Sequence, residues 1–499
     1  MASGISAADQ AAELSRALRG INPPACPSDV VPAVVSALLA SVDPQRALAH
    51  LLRYLACLGE ASEFWAACRE QPEFLRRMTG IFASSHVLSG VLWRDPQLAF
   101  WLRDEALHAP SPTPADLEDQ LGAMLEGQQD EAQVGAVLRR FTQRHLLRLG
   151  ARDLNRLAGV EETTAGLTAL ADCVLQAGVR ACQGWLTAQH GEPVYTDDRG
   201  GEQPCRFCVI GMGKLGGGEL NFSSDIDLMY VYTSYQGQTR GVVRNGGRCG
   251  QISNHEYFVA LARRLTTLIG GQQGAAGQIF RIDLRLRPDG TQGQLALALL
   301  AYEAYYARFG QPWEKMALIK ARPVAGDAHL GREFMALIQP FVYQRHLDAQ
   351  GVEQLRAMKR QIDSQMADKN ESRTHVKLGL GGIREIEFLI QLPQLLFGGR
   401  RPGLQERNSL CALGKLRGAR LLGAESAALL RDAYCYLRRL EHLLQMEQGS
   451  QTHTLPRNEA SRQRLARHFG HGDWEVFYQD YLARTEAVHA LFTAAFRME

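Results

Sequence analysis

Between Gly211 and Tyr232 the chain reads GMGKLGGGELNFSSDIDLMYVY, a glycine-dense turn running straight into an apolar segment that carries two aspartates one residue apart. On an extended strand alternate side chains share a face, so Asp225 and Asp227 project together while Ile226 and Leu228 project into a core. Gly211-x-Gly213-x-x-Gly216 has the glycine spacing of a dinucleotide fold, but too few residues separate Gly218 from the next strand for a crossover helix. A Walker loop is excluded as well, because Leu215 follows Lys214 where a magnesium-binding hydroxyl is required.

A paired-carboxylate site remains. Like charges this close repel unless a cation neutralises them, and hard oxygen donors suit magnesium, which retains coordination positions for phosphate oxygens. The backbone at Gly211, Gly213, Gly216 and Gly217, free of side-chain bulk, can approach a phosphate chain, with Lys214, Ser223 and Ser224 as further donors. Residues 278–288 alternate, with Phe280, Ile282, Leu284 and Leu286 on one face and Arg281, Asp283, Arg285 and Arg287 on the other. Asp283 is the candidate third carboxylate of a two-metal site, and Arg285 and Arg287 the candidate phosphate partners.

On either side of this segment the apolar spacing is helical, notably over residues 34–58, 134–157, 351–369, 383–396 and 427–446, with a terminal helix from about Trp474. The expected plan is α+β and predominantly helical, with an N-terminal helical domain over 1–187, an α/β core over 188–335 and a C-terminal helical bundle over 336–499. Residues 188–204 read as a polar linker and 235–251 as a mobile glycine-rich connection. Arg144, Arg148, Arg152 and Arg156 recur every four residues and read as a solvated helix face in preference to a stripe facing an anion. Cys205-x-x-Cys208 supplies half a zinc site at most, and most other cysteines (Cys57, Cys68, Cys173, Cys182, Cys411 and Cys435) read as small hydrophobes in apolar helices.

Composition narrows the function. With 55 Lys+Arg against 53 Asp+Glu, the net charge of +2 gives no general affinity for nucleic acid or membrane, so an anion site must be local. The apolar run 30–42 is interrupted by Pro32 and too short to span a bilayer, and the first residues lack the basic start of a secretory signal. A cytoplasmic location is expected.

The glycine turn, the Ser-Asp-x-Asp strand and a third aspartate on a later strand resemble the DNA polymerase β-like nucleotidyltransferases. The longer string GMGKLGGGELNFSSDIDL is similar to the bacterial glutamine synthetase adenylyltransferase/adenylyl-removing enzymes. So are WEKMALIKARPVAG (313–326), KLGLGGIREIEF (377–388), LEHLLQ (440–445) and QTHTLP (451–456). Enzymes of this family carry two nucleotidyltransferase copies, and this chain has room for one. The ELNFSSDID variant resembles the N-terminal, adenylyl-removing copy.

The resemblance implies phosphorolysis of adenylyl-tyrosine on glutamine synthetase, giving ADP. Asp225, Asp227 and Asp283 would hold two magnesium ions. Adenylylated synthetase and phosphate are the implied partners, with the PII signalling protein as a regulator. Lys377 and Arg384, flanking the glycines ahead of a helix, form a second candidate anion site, with Glu387 as a candidate nucleotide contact and Glu385 less defined. The reverse reaction, a catalytically silent nucleotide-binding module and an RNA-tailing enzyme stay open as alternatives; the near-neutral charge counts against the last.

Overall fold

The computed structural model describes residues 7–20, 26–244, 246–271, 278–344, 373–449 and 451–495. Helices dominate, and their starts follow from local chemistry. Asp43 accepts the Arg46 amide ahead of Pro44–Leu58, Asp130 accepts the Ala132 and Gln133 amides ahead of Glu131–Leu154, and Ser253 and Glu256 form a reciprocal capping box ahead of Asn254–Gly270. The long helix Val160–His190 backs the sheet. No described helix is long and apolar enough to cross a membrane.

The strands, in chain order, are β1 (Pro193–Thr196), β2 (Glu202–Pro204), β3 (Phe207–Gly211), β4 (Ile226–Tyr232), β5 (Gln238–Thr239), β6 (Val242–Arg244), β7 (Gly247–Cys249), β8 (Ile282–Asp283), β9 (Ala296–Ala298) and β10 (Arg322–Gly326). The central mixed sheet runs β10-β3-β4 with antiparallel pairing; β8 and β9 then both pair parallel with β4, at its start and its end. Phe207, Val209, Ile226, Leu228 and Tyr230 face the helices Val160–His190 and Asn254–Gly270. Cys208, Ile210, Met229 and Val231 face the other way, into a core that includes Phe334 and Ile338 of Ala328–Val342. The fold is therefore predominantly helical α+β with a small mixed sheet, as expected.

Several local expectations change. The linker at 188–204 is the end of Val160–His190 followed by the antiparallel β1–β2 pair, and the connection at 235–251 contains β5, which pairs with β1, and the β6–β7 hairpin. The strand expected over 278–288 is reduced to Ile282 and Asp283, because the chain turns at Leu284. The helix expected at 351–369 lies outside the described residues.

The arginine stripe is a solvated face only at Arg156, Arg144 being half-buried. Arg148 and Arg152 are buried, donating to the carbonyls of Ala106, Leu107, Ala109 and Pro110. Those carbonyls belong to a proline-rich segment that cannot pair them within a helix. Cys205 and Cys208 are free and buried, whereas Cys57 and Cys411 are exposed rather than core residues. The expected domain limit at 187 falls just before the end of Val160–His190, and the limit at 335 falls inside Ala328–Val342.

Candidate active site

β3 delivers the chain into a single helical turn, Gly213–Gly216, whose first amides have no partner within so short a helix. Glycine is required here for two distinct reasons. Gly213 adopts φ +51°, and a side chain on it would strike the Asp227 carboxylate; a side chain on Gly216 would strike the carbonyls of Lys320 and Gly211. Gly211 and Gly217 are also closely packed, against Val324 and against Arg407 and Lys320. The chain then passes through the half-buried Ser223 and Ser224 to Asp225 and β4.

Asp227 and Asp283 are direct register partners across the parallel β4–β8 pair, with Ile226 opposite Ile282. Side chains at one register level of adjacent strands share a face. Each neighbouring acid has an arginine: Arg281 Nε lies 2.8 Å from Asp225 Oδ1, and Arg285 Nε lies 2.8 Å from Asp283 Oδ2. Among the described residues no ion pair is made by Asp227. Burial, then Asp283 and Asp225 nearby, push the Asp227 carboxyl up to about 6, against the pull of Lys377 and Arg285. Burial acts on Asp283 in the same direction, but hydrogen bonds from the Arg285 guanidinium and amide outweigh it and hold this carboxyl below its usual range.

The donor set fits magnesium by chemistry, being all carboxylate oxygen beside an open backbone turn. In this conformation the side chains are not grouped on one point, and among the described residues no three acidic, His or Cys side chains are. Arg281 and Arg285 hold two of the carboxylates to the side.

Other expected binding residues have different surroundings. Lys214 Nζ lies 2.8 Å from both carboxylate oxygens of Glu441, which is fully buried. Burial pulls the Lys214 ammonium down to about 8, against the attraction of Glu441. Arg287 donates to the carbonyls of Leu284, Thr291 and Gly293, so it braces the turn after β8. Glu387 is paired with Lys320 at 2.7 Å; burial alone would raise its carboxyl, but Lys320 draws it down to about 2.

Ahead of Ile383–Phe397 the amides of Ile383 and Arg384 are taken by the carbonyls of Val376 and Lys377, and Gly381 and Gly382 press on the Thr485 and Val376 backbone. That glycine run is a packing turn, and the amides from Gly382 to Ile386 at the helix start are not open to an anion. Lys377 itself stands near enough to Asp227 to lower its pKa. Glu385 pairs with His489 at 3.0 Å.

The structure adds residues that sequence reasoning missed. Glu219, after the glycine turn, accepts from Tyr434 Oη (2.6 Å) and Lys320 Nζ (3.2 Å). Arg438 binds the Glu219 carbonyl and Asn221, and His453 Nδ1 lies 2.8 Å from Glu441 Oε1. The buried network thus takes Glu219 from the glycine-turn block, Lys320 from WEKMALIKARP, Glu387 from GGIREIEF, Glu441 from LEHLLQ and His453 from QTHTLP. A charged residue inside an apolar run, as in ALIKA or RRLEHLL, was the available signal.

The family profile for glutamate-ammonia ligase adenylyltransferase matches residues 75–337, and that for GlnD PII-uridylyltransferase matches residues 356–496. The chain belongs to the glutamate-ammonia ligase adenylyltransferase family. Curated relatives named bifunctional glutamine synthetase adenylyltransferase/adenylyl-removing enzyme include one from Thioalkalivibrio sulfidiphilus, 38% identical over 88% of this chain and 43% of the relative. One from Stenotrophomonas maltophilia is 39% identical over 85% of this chain and 43% of the relative, and one from Pseudomonas aeruginosa is 38% identical over 87% and 43%. The chain spans less than half the length of these relatives.

Proposed function

We propose that this chain is the adenylyl-removing nucleotidyltransferase unit, cleaving adenylyl-tyrosine on glutamine synthetase by phosphorolysis. The observation that carries the reading is the register pairing of Asp227 with Asp283 beside Asp225. Asp225, Asp227 and Asp283 would hold magnesium, which when bound supplies neutralisation of charge on the reacting phosphoryl oxygens. The turn offers the amides of Gly213, Lys214 and Leu215 to phosphate oxygens, those of Gly216 and Gly217 being taken by the Met212 and Gly213 carbonyls. Lys377, near Asp227, is a candidate for the attacking phosphate.

In the reaction a phosphate oxygen attacks the α-phosphorus, the bond from phosphorus to the tyrosine oxygen breaks, and the tyrosine oxygen takes a proton. ADP and unmodified tyrosine result. Arg281 and Arg285, released from Asp225 and Asp283 when those carboxylates turn inward, become available to anionic oxygens. The similarity of ELNFSSDID to the N-terminal copy of the family supports removal over attachment of AMP.

The test incubates the protein with adenylylated glutamine synthetase, magnesium and phosphate, and a parallel sample with unmodified synthetase and ATP. ADP in the first and no AMP transfer in the second is the expected result, with ADP lost in Asp227→Asn. AMP transfer in the second sample assigns the opposite direction; turnover in neither leaves the silent-module reading.

A further inference from the structure

The arginine stripe of Glu131–Leu154 borders a cleft of about 440 Å³ in the N-terminal helical region, remote in sequence from the aspartates and unused by the proposed chemistry. Arg144, His145 and Arg148 line one side, and the half-buried Trp101 and Met124 supply apolar surface. Arg148 has a structural task, since its Nε and Nη2 hold the carbonyls of Ala106, Ala109 and Pro110 at 2.7–2.9 Å. That task leaves Nη1 over. Arg148 Nη1, His145 Nε2 and Arg144 Nε are all buried without a hydrogen-bond partner among the described residues. The Arg144 and Arg148 nitrogens are obligate donors, and buried donors left unpaired are costly, so two at the wall of one cleft call for an acceptor.

The surroundings favour a negative acceptor. Burial chiefly, with Arg144 and Arg148 adding to it, pushes the His145 imidazolium down to about 4, so the cationic groups lining the cleft are the two arginines. Among the described residues one carboxylate lines the cleft, Glu105, which is solvent-exposed and offsets part of the Arg144 charge. Arg144 lies over Trp101 at 4.2 Å, which places a flat apolar surface beside a cationic group, and the His145 ring packs tilted against the buried Phe141 at 4.4 Å. One rim is the π-helical turn Leu102–Ala106, a widened geometry frequent at functional sites. The volume lies within the range of small-molecule pockets.

We propose that this cleft binds a small organic anion, its carboxylate or phosphoryl group on Arg144 and Arg148 and its apolar part against Trp101 and Met124. The assignment is independent of the direction, or the existence, of AMP transfer at the aspartates.

Calorimetric titration of the full chain with benzoate, phenyl phosphate and benzyl alcohol tests it. At least one anion is expected to bind at one per chain, with affinity lowered roughly tenfold or more in Arg144→Gln and in Arg148→Gln, while the uncharged alcohol does not bind. Binding of benzoate alone identifies a carboxylate site and of phenyl phosphate alone a phosphoryl site. Arg144→Gln leaves the carbonyl contacts of Arg148 intact, so it reports even where Arg148→Gln fails to fold. Binding of neither anion, equal binding of the alcohol, or undiminished binding in Arg144→Gln overturns the proposal.

Discussion

Asp227 is the carboxylate with most to gain from a cation, because burial and its acidic neighbours have already raised its pKa to about 6. A carboxyl whose folded value lies above its unfolded value near ~3.9 binds its proton more tightly when folded. Its contribution to metal-free stability is present below about pH 4 and is lost as pH rises toward 6. A cation competes with that proton. Magnesium affinity is therefore expected to rise by up to about tenfold per pH unit below 6 and to level off above it, as read by titration calorimetry at pH 5, 6 and 7.5. An affinity independent of pH over that range would contradict the assignment. At this scale the sequence was informative about Asp225 and Asp227, because strand alternation is a local rule. It put Asp283 on a strand face, where the register sets it opposite Asp227 although only Ile282 and Asp283 pair as a strand, and it did not foresee that turn carbonyls would take the Arg287 guanidinium, since no local pattern announces them.

At the scale of elements, the turn bearing Lys214 is fixed by a helix that arrives 227 residues later through Glu441. Lys214, Arg438 and His453 hold the Glu441 carboxyl well below its usual range despite its burial. Removing one partner of such a pair leaves an uncompensated buried charge. Glu441→Gln is expected to lower unfolding stability by about 3–5 kcal/mol in urea, and the double change Lys214→Met with Glu441→Leu to be less damaging than Glu441→Gln alone. If the double variant equals the sum of its single variants, the pair is not coupled and Lys214 is free for another task.

Helix positions were legible because the 3.6-residue apolar period and the capping residues are local, as at Ser253 and Asn254–Gly270. The network was not, since nothing in ALIKA tells Lys320 that Glu219 and Glu387 will meet it. The arginine stripe misled for the related reason that charge spacing does not reveal the unpaired carbonyls of a proline-rich neighbour.

Across the whole molecule the three segments seen in the sequence share a core. One continuous apolar cluster runs from Leu14 and Phe82 in the first helices, through Cys208 and Ile210 of β3, to Leu437 and Phe492 near the end. Arg46 to Glu447 at 3.2 Å and Arg464 to Asp43 at 2.9 Å tie the first helices to the last. A chain ending at residue 335 would expose the faces that Ala424–Gln448 and Ile383–Phe397 cover. It is expected to be rapidly degraded in limited proteolysis and to bind a hydrophobic dye, whereas the full chain does neither; a cooperative, protease-resistant fragment would show that the N-terminal part folds alone. The order helical, α/β, helical was readable from texture along the chain, but the merging of its ends depends on contacts between distant segments.

The account rests on three carboxylates, from β8 and from the start of β4, serving one metal-bearing centre. Manganese, a paramagnetic stand-in for magnesium, can be titrated into the protein with phosphate and AMP present and followed by electron paramagnetic resonance, comparing the unaltered chain with Asp283→Asn. The account predicts two ions per chain, with at least one lost or weakened by roughly tenfold or more in the variant. Equal stoichiometry and affinity in both proteins would contradict it.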